Sequence, residues 1–280
     1  MSSTRTGEIL VLGASGKTGR LVAERLTALG HSVRAASRSS AIRFDWDDTS
    51  TWTPALAGVD AVFFVPTETL GLAERTAFVD QAKAAGVRRI VQLSVRGVAP
   101  EGGFHPTEEA VTRSGLEWTL LRPCWFNQDF AAPDFFLTEV LAGELATPAG
   151  EGREPFIDAA DIAAVAVAAL TEEGHAGRAY DLSGPQALTF AEALDVIGAA
   201  TGRTLRHRHI GGAEYREVLI AAGASADDAR SIADFLEGVA KGADAYLSTG
   251  VQEVLGREPR TFESYVQATA PTGVWTPDGR

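Results

Sequence analysis

Three glycines at steps of three, Gly13, Gly16 and Gly19, lie between a short apolar run, Ile9–Leu12, and a segment with helical spacing, Arg20–Leu29. A strand, a tight glycine turn and a helix start make a phosphate-binding device. The first glycine permits the turn, the second lets backbone approach a pyrophosphate, and the third lets helix and strand pack closely. The helix N-terminus adds N–H donors and partial positive charge. With Ser15, Lys17 and Thr18 between them, these glycines form the expected cofactor loop. Gly16-Lys17-Thr18 also reproduces the end of an ATP-binding P-loop. That loop needs four residues between its glycines, which would put the first one at Val11, inside the apolar run. The P-loop reading therefore fails on spacing, and no ATP binding is expected.

The second strand decides which dinucleotide fits. A carboxylate at its end would bind a ribose 2′-hydroxyl, and an arginine nearby suits a 2′-phosphate. The chain reads Val33-Arg34-Ala35-Ala36-Ser37-Arg38, with no carboxylate. Ser37 and Arg38 offer a hydroxyl and a guanidinium fork, so NADP(H) is expected over NAD(H). The competing reading makes Arg38 a solvated loop charge.

These residues need a scaffold, and the chain supplies one. Strand-like segments at Ile9–Leu12, Ser32–Ala36, Ala41–Phe44, Ala61–Val65, Arg89–Leu93 and Thr119–Leu121 alternate with helical segments at Arg20–Leu29, Thr53–Leu56, Leu72–Ala85 and Glu108–Ser114. This alternation predicts an α/β fold, a Rossmann-type doubly wound parallel sheet with helices on both faces. The later chain reads as helices at Asp158–Leu170, Thr189–Ala200, Ala213–Ala222, Ala226–Lys241 and Thr261–Gln267, with a late strand at Ala179–Leu182. Thr189 and Glu192 form a capping box. The expected division is residues 1–150 as the NADP-binding domain, with 151–185 returning to it, and 186–280 as a small, mostly helical substrate lobe. A break falls near Trp125–Glu151.

Composition narrows the classes. Of 280 residues, 45% are hydrophobic and 22% charged, enough apolar content for a sizeable core. A formal charge of −12 disfavours nucleic acid as a partner. Cys124 is the single cysteine, which excludes an intrachain disulfide and fits a reducing cytoplasm. The N-terminus lacks the apolar stretch of a signal peptide, and no apolar run is long enough to span a membrane. His207 and His209 form an H-x-H pair without further ligands, so no metal site is expected. A small-molecule substrate, no membrane partner, and a monomer or homodimer complete the expectation.

GASGKTG (13–19), Ser37-Arg38, FDWDDTSTW (44–52), AVFFVP (61–66), RRIVQLS (88–94), LRPCWF (121–126) and GEGREPF with Asp158 and Asp161 together resemble the NmrA-like atypical short-chain dehydrogenase/reductases. The likeness is strongest to the festuclavine synthase/agroclavine dehydrogenase group. TEEGHAGRAYDLSGP (171–185) also resembles the NADPH-dependent quinone and triphenylmethane reductases of the same superfamily. The resemblance covers nearly the whole chain and implies a Rossmann domain with a small substrate lobe. It implies Arg38 at the 2′-phosphate, Asp45 with Trp46 adjacent beside the adenine, and Val65, Pro66 and Thr67 past the cofactor ribose. Ser94, with Val95 and Arg96, falls beside the nicotinamide. The competing reading of Asp45 and Trp46 is a solvated turn and a packed aromatic.

One departure matters. Typical short-chain reductases carry a Tyr-x-x-x-Lys pair, but no tyrosine or lysine occurs between Lys83 and Tyr180. Ser94, His105 and Asp129 are the remaining candidates for catalytic polar groups. His105 could act as an acid or simply start a helix. Asp129 could pair with a cationic substrate or cap a helix. Trp125 and Phe126 are candidates for an aromatic substrate wall, and Cys124 reads as a small buried residue. The expected function is NADPH-dependent hydride transfer to an imine or iminium, a quinone or a conjugated carbonyl in secondary metabolism. The alternative is a non-catalytic NADP(H)-sensing regulator.

Overall fold

The computed structural model describes residues 7–67, 70–96 and 105–277. By contacts the chain forms two compact units. The first holds the chain to Pro123, Ala159–Leu182 and Thr249–Arg257; the second holds Cys124–Asp158, Ser183–Ser248 and Glu258–Arg280. These boundaries differ from those drawn on the sequence. Residues 124–158 pack with the later helices, because the aromatic residues of that stretch join their core.

The first unit is a seven-stranded sheet. Its strands are β1 (Glu8–Leu12), β2 (Val33–Ser37), β3 (Ile42–Arg43), β4 (Val59–Phe64), β5 (Arg89–Leu93), β6 (Glu117–Pro123) and β7 (Arg178–Leu182). Their order is β3-β2-β1-β4-β5-β6-β7, and every pairing is parallel. The strands are connected through α1 (Lys17–Ala28), α2 (Trp52–Leu56), α3 (Leu72–Ala84), α4 (Glu109–Thr112) and α5 (Ala159–Thr171), and α6 (Gly250–Leu255) rejoins the unit late. The Rossmann-type expectation holds.

Side-chain alternation explains the two covered faces. Leu10, Leu12, Val62, Phe64, Ile90 and Leu120 share a core with Trp52, Phe78, Val79 and Val111 from the α2, α3 and α4 side. The alternate residues, Ile9, Val11, Phe63 and Val91, are equally buried on the opposite face, where α1 packs on α5 and α5 on β4, β5 and β6. A sheet covered on both faces needs such continuous apolar strands. The buried Arg89 joins sheet and helix: its Nη1 donates to the Glu172 carbonyl at 2.6 Å and the Leu170 carbonyl at 3.2 Å, while Nε donates to Glu117 at 2.9 Å. Carbonyls at the end of α5 that lack helical partners are thereby satisfied.

Most elements fall within a few residues of expectation. The third strand is only Ile42–Arg43, and the helix expected at Glu108–Ser114 is a 3-10 turn, Pro106–Glu108, followed by the four-residue α4. β6 is longer than expected, running to Pro123, where the strand needs no further N–H and the proline carbonyl accepts from Arg96 N at 3.1 Å.

The second unit is mostly helical: Leu137–Ala142, Phe190–Thr201, Gly212–Ala221, Ala226–Ala240 and Phe262–Thr269. Two small sheets, Glu144–Thr147 with Arg206–His209 and Arg153–Glu154 with Leu188–Thr189, were not expected. The Thr189–Glu192 capping box is present. Phe130, Phe156, Phe190 and Phe262 form the centre of its core, and the Trp275 indole donates to the Phe130 carbonyl at 2.8 Å. Among the described residues no helix is long and apolar enough to cross a membrane.

A tight contact of the first unit is backbone on backbone. A Cβ on Gly19 would lie 2.3 Å from the Gly13 carbonyl oxygen. Gly19→Ala must push α1 away from β1, and is expected to destabilise the protein by about 1–3 kcal/mol. Urea unfolding of the variant against wild type measures this.

Candidate functional site

The loop from β1 into α1 is built as the spacing requires. Gly13 has φ +64°, a conformation only glycine adopts readily. Gly16 N donates to the Gly13 carbonyl at 2.8 Å and closes the turn. A Cβ on Gly16 would stand 3.3 Å from that same oxygen, so side chains are kept out of the cradle. Gly16 caps α1 without a side-chain hydrogen bond. The helices starting after Thr189, Ser225 and Thr261 do have one. A helix start without a side-chain cap is suited to receive an anion. Ser15 is exposed, Lys17 half-buried and Thr18 buried. Val65, directly after β4, packs against the loop, 3.7 Å from where a Gly13 Cβ would be, with half-buried Pro66 following. The loop sits at the switch between β1 and β4, where the strand order reverses. Open parallel sheets bind ligands at that position.

The end of β2 carries Ser37 and Arg38. Ser37 is buried and its Oγ accepts from Ser39 N at 3.3 Å, while Ser40 Oγ accepts from Ser37 N at 2.6 Å. Arg38 is exposed on this braced turn. The arginines on either side are engaged: Arg34 with Glu8 and the Ala55 and Ala57 carbonyls, Arg43 with Asp45. Arg38 forms no ion pair among the described residues.

Asp45 organises its own turn. Its Oδ1 accepts from Asp47 N at 3.3 Å, and its carbonyl accepts from the Trp52 indole at 3.0 Å. Trp46 packs edge-on against Phe44, Trp52, Phe64 and Phe78, with ring centroids 4.6–5.8 Å apart. Its ring is committed to this cluster, in line with the packed-aromatic reading.

At the end of β5 the structure brings together Ser94, His105 and a residue that sequence reasoning missed, Glu108. Glu108 is fully buried. Its Oε1 accepts from Ser94 Oγ at 2.6 Å and Arg122 Nε at 2.8 Å; its Oε2 accepts from Arg122 Nη2 at 2.6 Å and His105 N at 2.9 Å. Burial pushes this carboxyl upward, but the hydrogen bonds from Arg122, Ser94 and His105 and the Arg122 charge outweigh it. The result lies below the ordinary value of 4.5. His105 Nδ1 accepts from Thr107 N at 3.2 Å and lies 2.6 Å from Thr107 Oγ1. Burial chiefly, with the Arg75 and Arg122 charges, lowers its pKa below 6.5 despite Glu108 nearby, so the ring is neutral at pH 7. The residues 97–104 between Arg96 and His105 lie outside the described part.

Asp129, Trp125 and Phe126 belong to the second unit. Asp129 is buried and its Oδ2 accepts from Phe126 N at 3.2 Å, as a capping residue does. Trp125 is half-buried and stacks on Phe136, with Phe135 and Phe235 edge-on. Its indole N–H has no hydrogen-bond partner among the described residues. Phe126 is half-buried. The Cys124 thiol donates to the Pro155 carbonyl at 2.8 Å, as a packed thiol would. His207 lies against Phe190 and 2.8 Å from Thr147 Oγ1.

The glycine loop, the uncapped α1 terminus and the strand-order switch define a dinucleotide-binding α/β protein. Comparison with known proteins makes this specific. The NAD(P)H-binding family matches residues 13–173, and the chain belongs to it. The chain is 35% identical to the uncharacterized oxidoreductase YesF of Bacillus subtilis, over 96% of this chain and 98% of that protein. It is 32% identical to agroclavine dehydrogenase of Claviceps fusiformis, over 92% and 96%. The fold is shared with the Citrobacter triphenylmethane reductase complexed with NADP(H), with a TM-score of 0.76, 23% identity, and coverage of 93% and 99%. The protein is an NAD(P)H-dependent oxidoreductase.

Glu108 also sets an acid limit on stability. Its folded-state pKa is below the unfolded value, so its contribution is complete above 4.5 and is lost as pH falls through the lowered folded value. Glu108→Gln is expected to destabilise the protein by on the order of 3 kcal/mol at neutral pH, since it leaves Arg122 without its carboxylate. Its stability should then fall less steeply than wild type on acidification. Urea midpoints across a pH series check both.

Proposed function

We propose that the protein is an NADPH-dependent reductase of a small organic acceptor in secondary metabolism, the acceptor being an imine or iminium, a quinone or a conjugated carbonyl. The observation that carries the cofactor choice is Arg38. It is exposed on a turn braced by Ser37 and Ser40, at the place where a carboxylate would select the unphosphorylated cofactor. When bound, the dihydronicotinamide supplies the hydride.

The chain's residues do the holding. The α1 amides and the glycine cradle receive the pyrophosphate, and Ser37 with Arg38 receives the 2′-phosphate. Val65 and Pro66 border the ribose, and Ser94 stands at the nicotinamide end. Asp45 is proposed on the adenine side; the packing of Trp46 gives it a supporting role under that turn. Trp125 and Phe126 are proposed as the aromatic contacts of the acceptor, supported by the unpartnered Trp125 indole N–H. His105 and Asp129 have local capping roles that do not favour them as proton donors.

Fluorescence titration with NADPH and NADH tests this reading. Wild type should prefer NADPH. Arg38→Ala should weaken NADPH by roughly tenfold to over a hundredfold, the equivalent of about 1.5–3 kcal/mol, and leave NADH unchanged. Equal binding of both cofactors by wild type would refute the assignment.

A further inference from the structure

Glu108 is a buried anion whose partners all donate to it, and that fixes a direction. The carboxylate is ionised, with the Arg122 fork on both oxygens. An ionised carboxylate only accepts. The Ser94 hydroxyl, 2.6 Å away, must therefore place its hydrogen on the Glu108 side. Ser94 has no second hydrogen on its oxygen, and what it can still offer is lone pairs.

The arrangement is held from several sides. Ser94 N donates to the Leu121 carbonyl at 2.7 Å, which anchors Ser94 to β6 one residue before Arg122. Gln92 Nε2 donates to the Thr107 carbonyl at 3.1 Å, beside Glu108. Arg75 Nη2 donates to the Thr67 carbonyl at 2.8 Å and its Nε to the Leu70 carbonyl at 2.6 Å, tying the region after β4 to α3. The hydroxyl cannot easily reverse its direction without uncoupling a buried charge.

We propose that Glu108 is a positioning residue for the nicotinamide end of the cofactor. By taking the Ser94 hydrogen it makes Ser94 Oγ a hydrogen-bond acceptor for an N–H of the carboxamide, so that Ser94 orients the ring and does not protonate the substrate. Arg122 acts through Glu108 by keeping it ionised. The proposal rests on the reading above, in which the nicotinamide lies beside the end of β5.

Three probes separate the two ideas by calorimetry: NADP, its 3-acetylpyridine analogue, and adenosine 2′,5′-bisphosphate. The analogue has no carboxamide N–H, and the bisphosphate has no nicotinamide. Wild type should bind NADP about tenfold more tightly than the analogue. Glu108→Ala, which leaves no acceptor for the Ser94 hydrogen, and Ser94→Ala should each abolish that preference and bind the bisphosphate as wild type does, an outcome that a general loss of structure would not give. Preference surviving in a folded Glu108→Ala protein overturns the proposal. Should that variant fail to fold, Ser94→Ala decides, and a surviving preference there overturns it equally. No bisphosphate binding by wild type would instead sink the NADP reading.

Discussion

The turn from β1 into α1 depends on one close approach, that of Gly19 to the Gly13 carbonyl. No side chain fits in that gap. Because α1 lies so close to β1, its N-terminus is held over the end of the strand. Because that strand is the one at which sheet order reverses, the amides open beside the switch between β1 and β4. The Gly16–Gly13 hydrogen bond and the packing of Val65 hold the same turn from the other side. The turn is thus a consequence of backbone packing, and under the proposed function the helix start it presents receives the pyrophosphate.

What was legible in the sequence was local. The glycine spacing, the apolar strands and the Thr189–Glu192 box each sit within a few residues, and each gave an element close to the observed one. Glu108 was not legible as a site residue. A glutamate at the start of a helical stretch reads as a solvated charge, and its burial comes from Ser94 and Arg122, each fourteen residues away in sequence. The same holds for the division of the chain. Trp125, Phe130 and Phe136 read as a wall or a break on the sequence, and only packing with Phe156, Phe190 and Phe262 assigns that stretch to the second core. The short paired strands there have too few residues to show a period. Trp46, half-buried, was placed by its motif beside the adenine, and its packing against four neighbouring rings was not legible in the sequence.

The charge at Glu108 also bears on the missing Tyr-x-x-x-Lys pair. A buried carboxylate is costly unless it is fully hydrogen-bonded. Here it is bonded through both oxygens, and its donors are Ser94 after β5, the His105 backbone N–H and Arg122 of β6. The Ser94 hydrogen points inward, and His105 is neutral with its Nδ1 accepting. Ser94 therefore presents lone pairs, while the neutral His105, with Nδ1 accepting, keeps its proton on Nε2. Under the proposed function, the hydrogen that Ser94 cannot give bears on the acceptor. Hydride addition to a carbonyl leaves an alkoxide that needs a proton at once. Hydride addition to an iminium leaves a neutral amine and needs none, and hydride addition to a quinone leaves an anion spread over a ring. Under that reading Ser94, whose hydrogen is held by Glu108, supplies no proton to any of them, and an iminium asks for none, since its positive charge is discharged by the hydride itself.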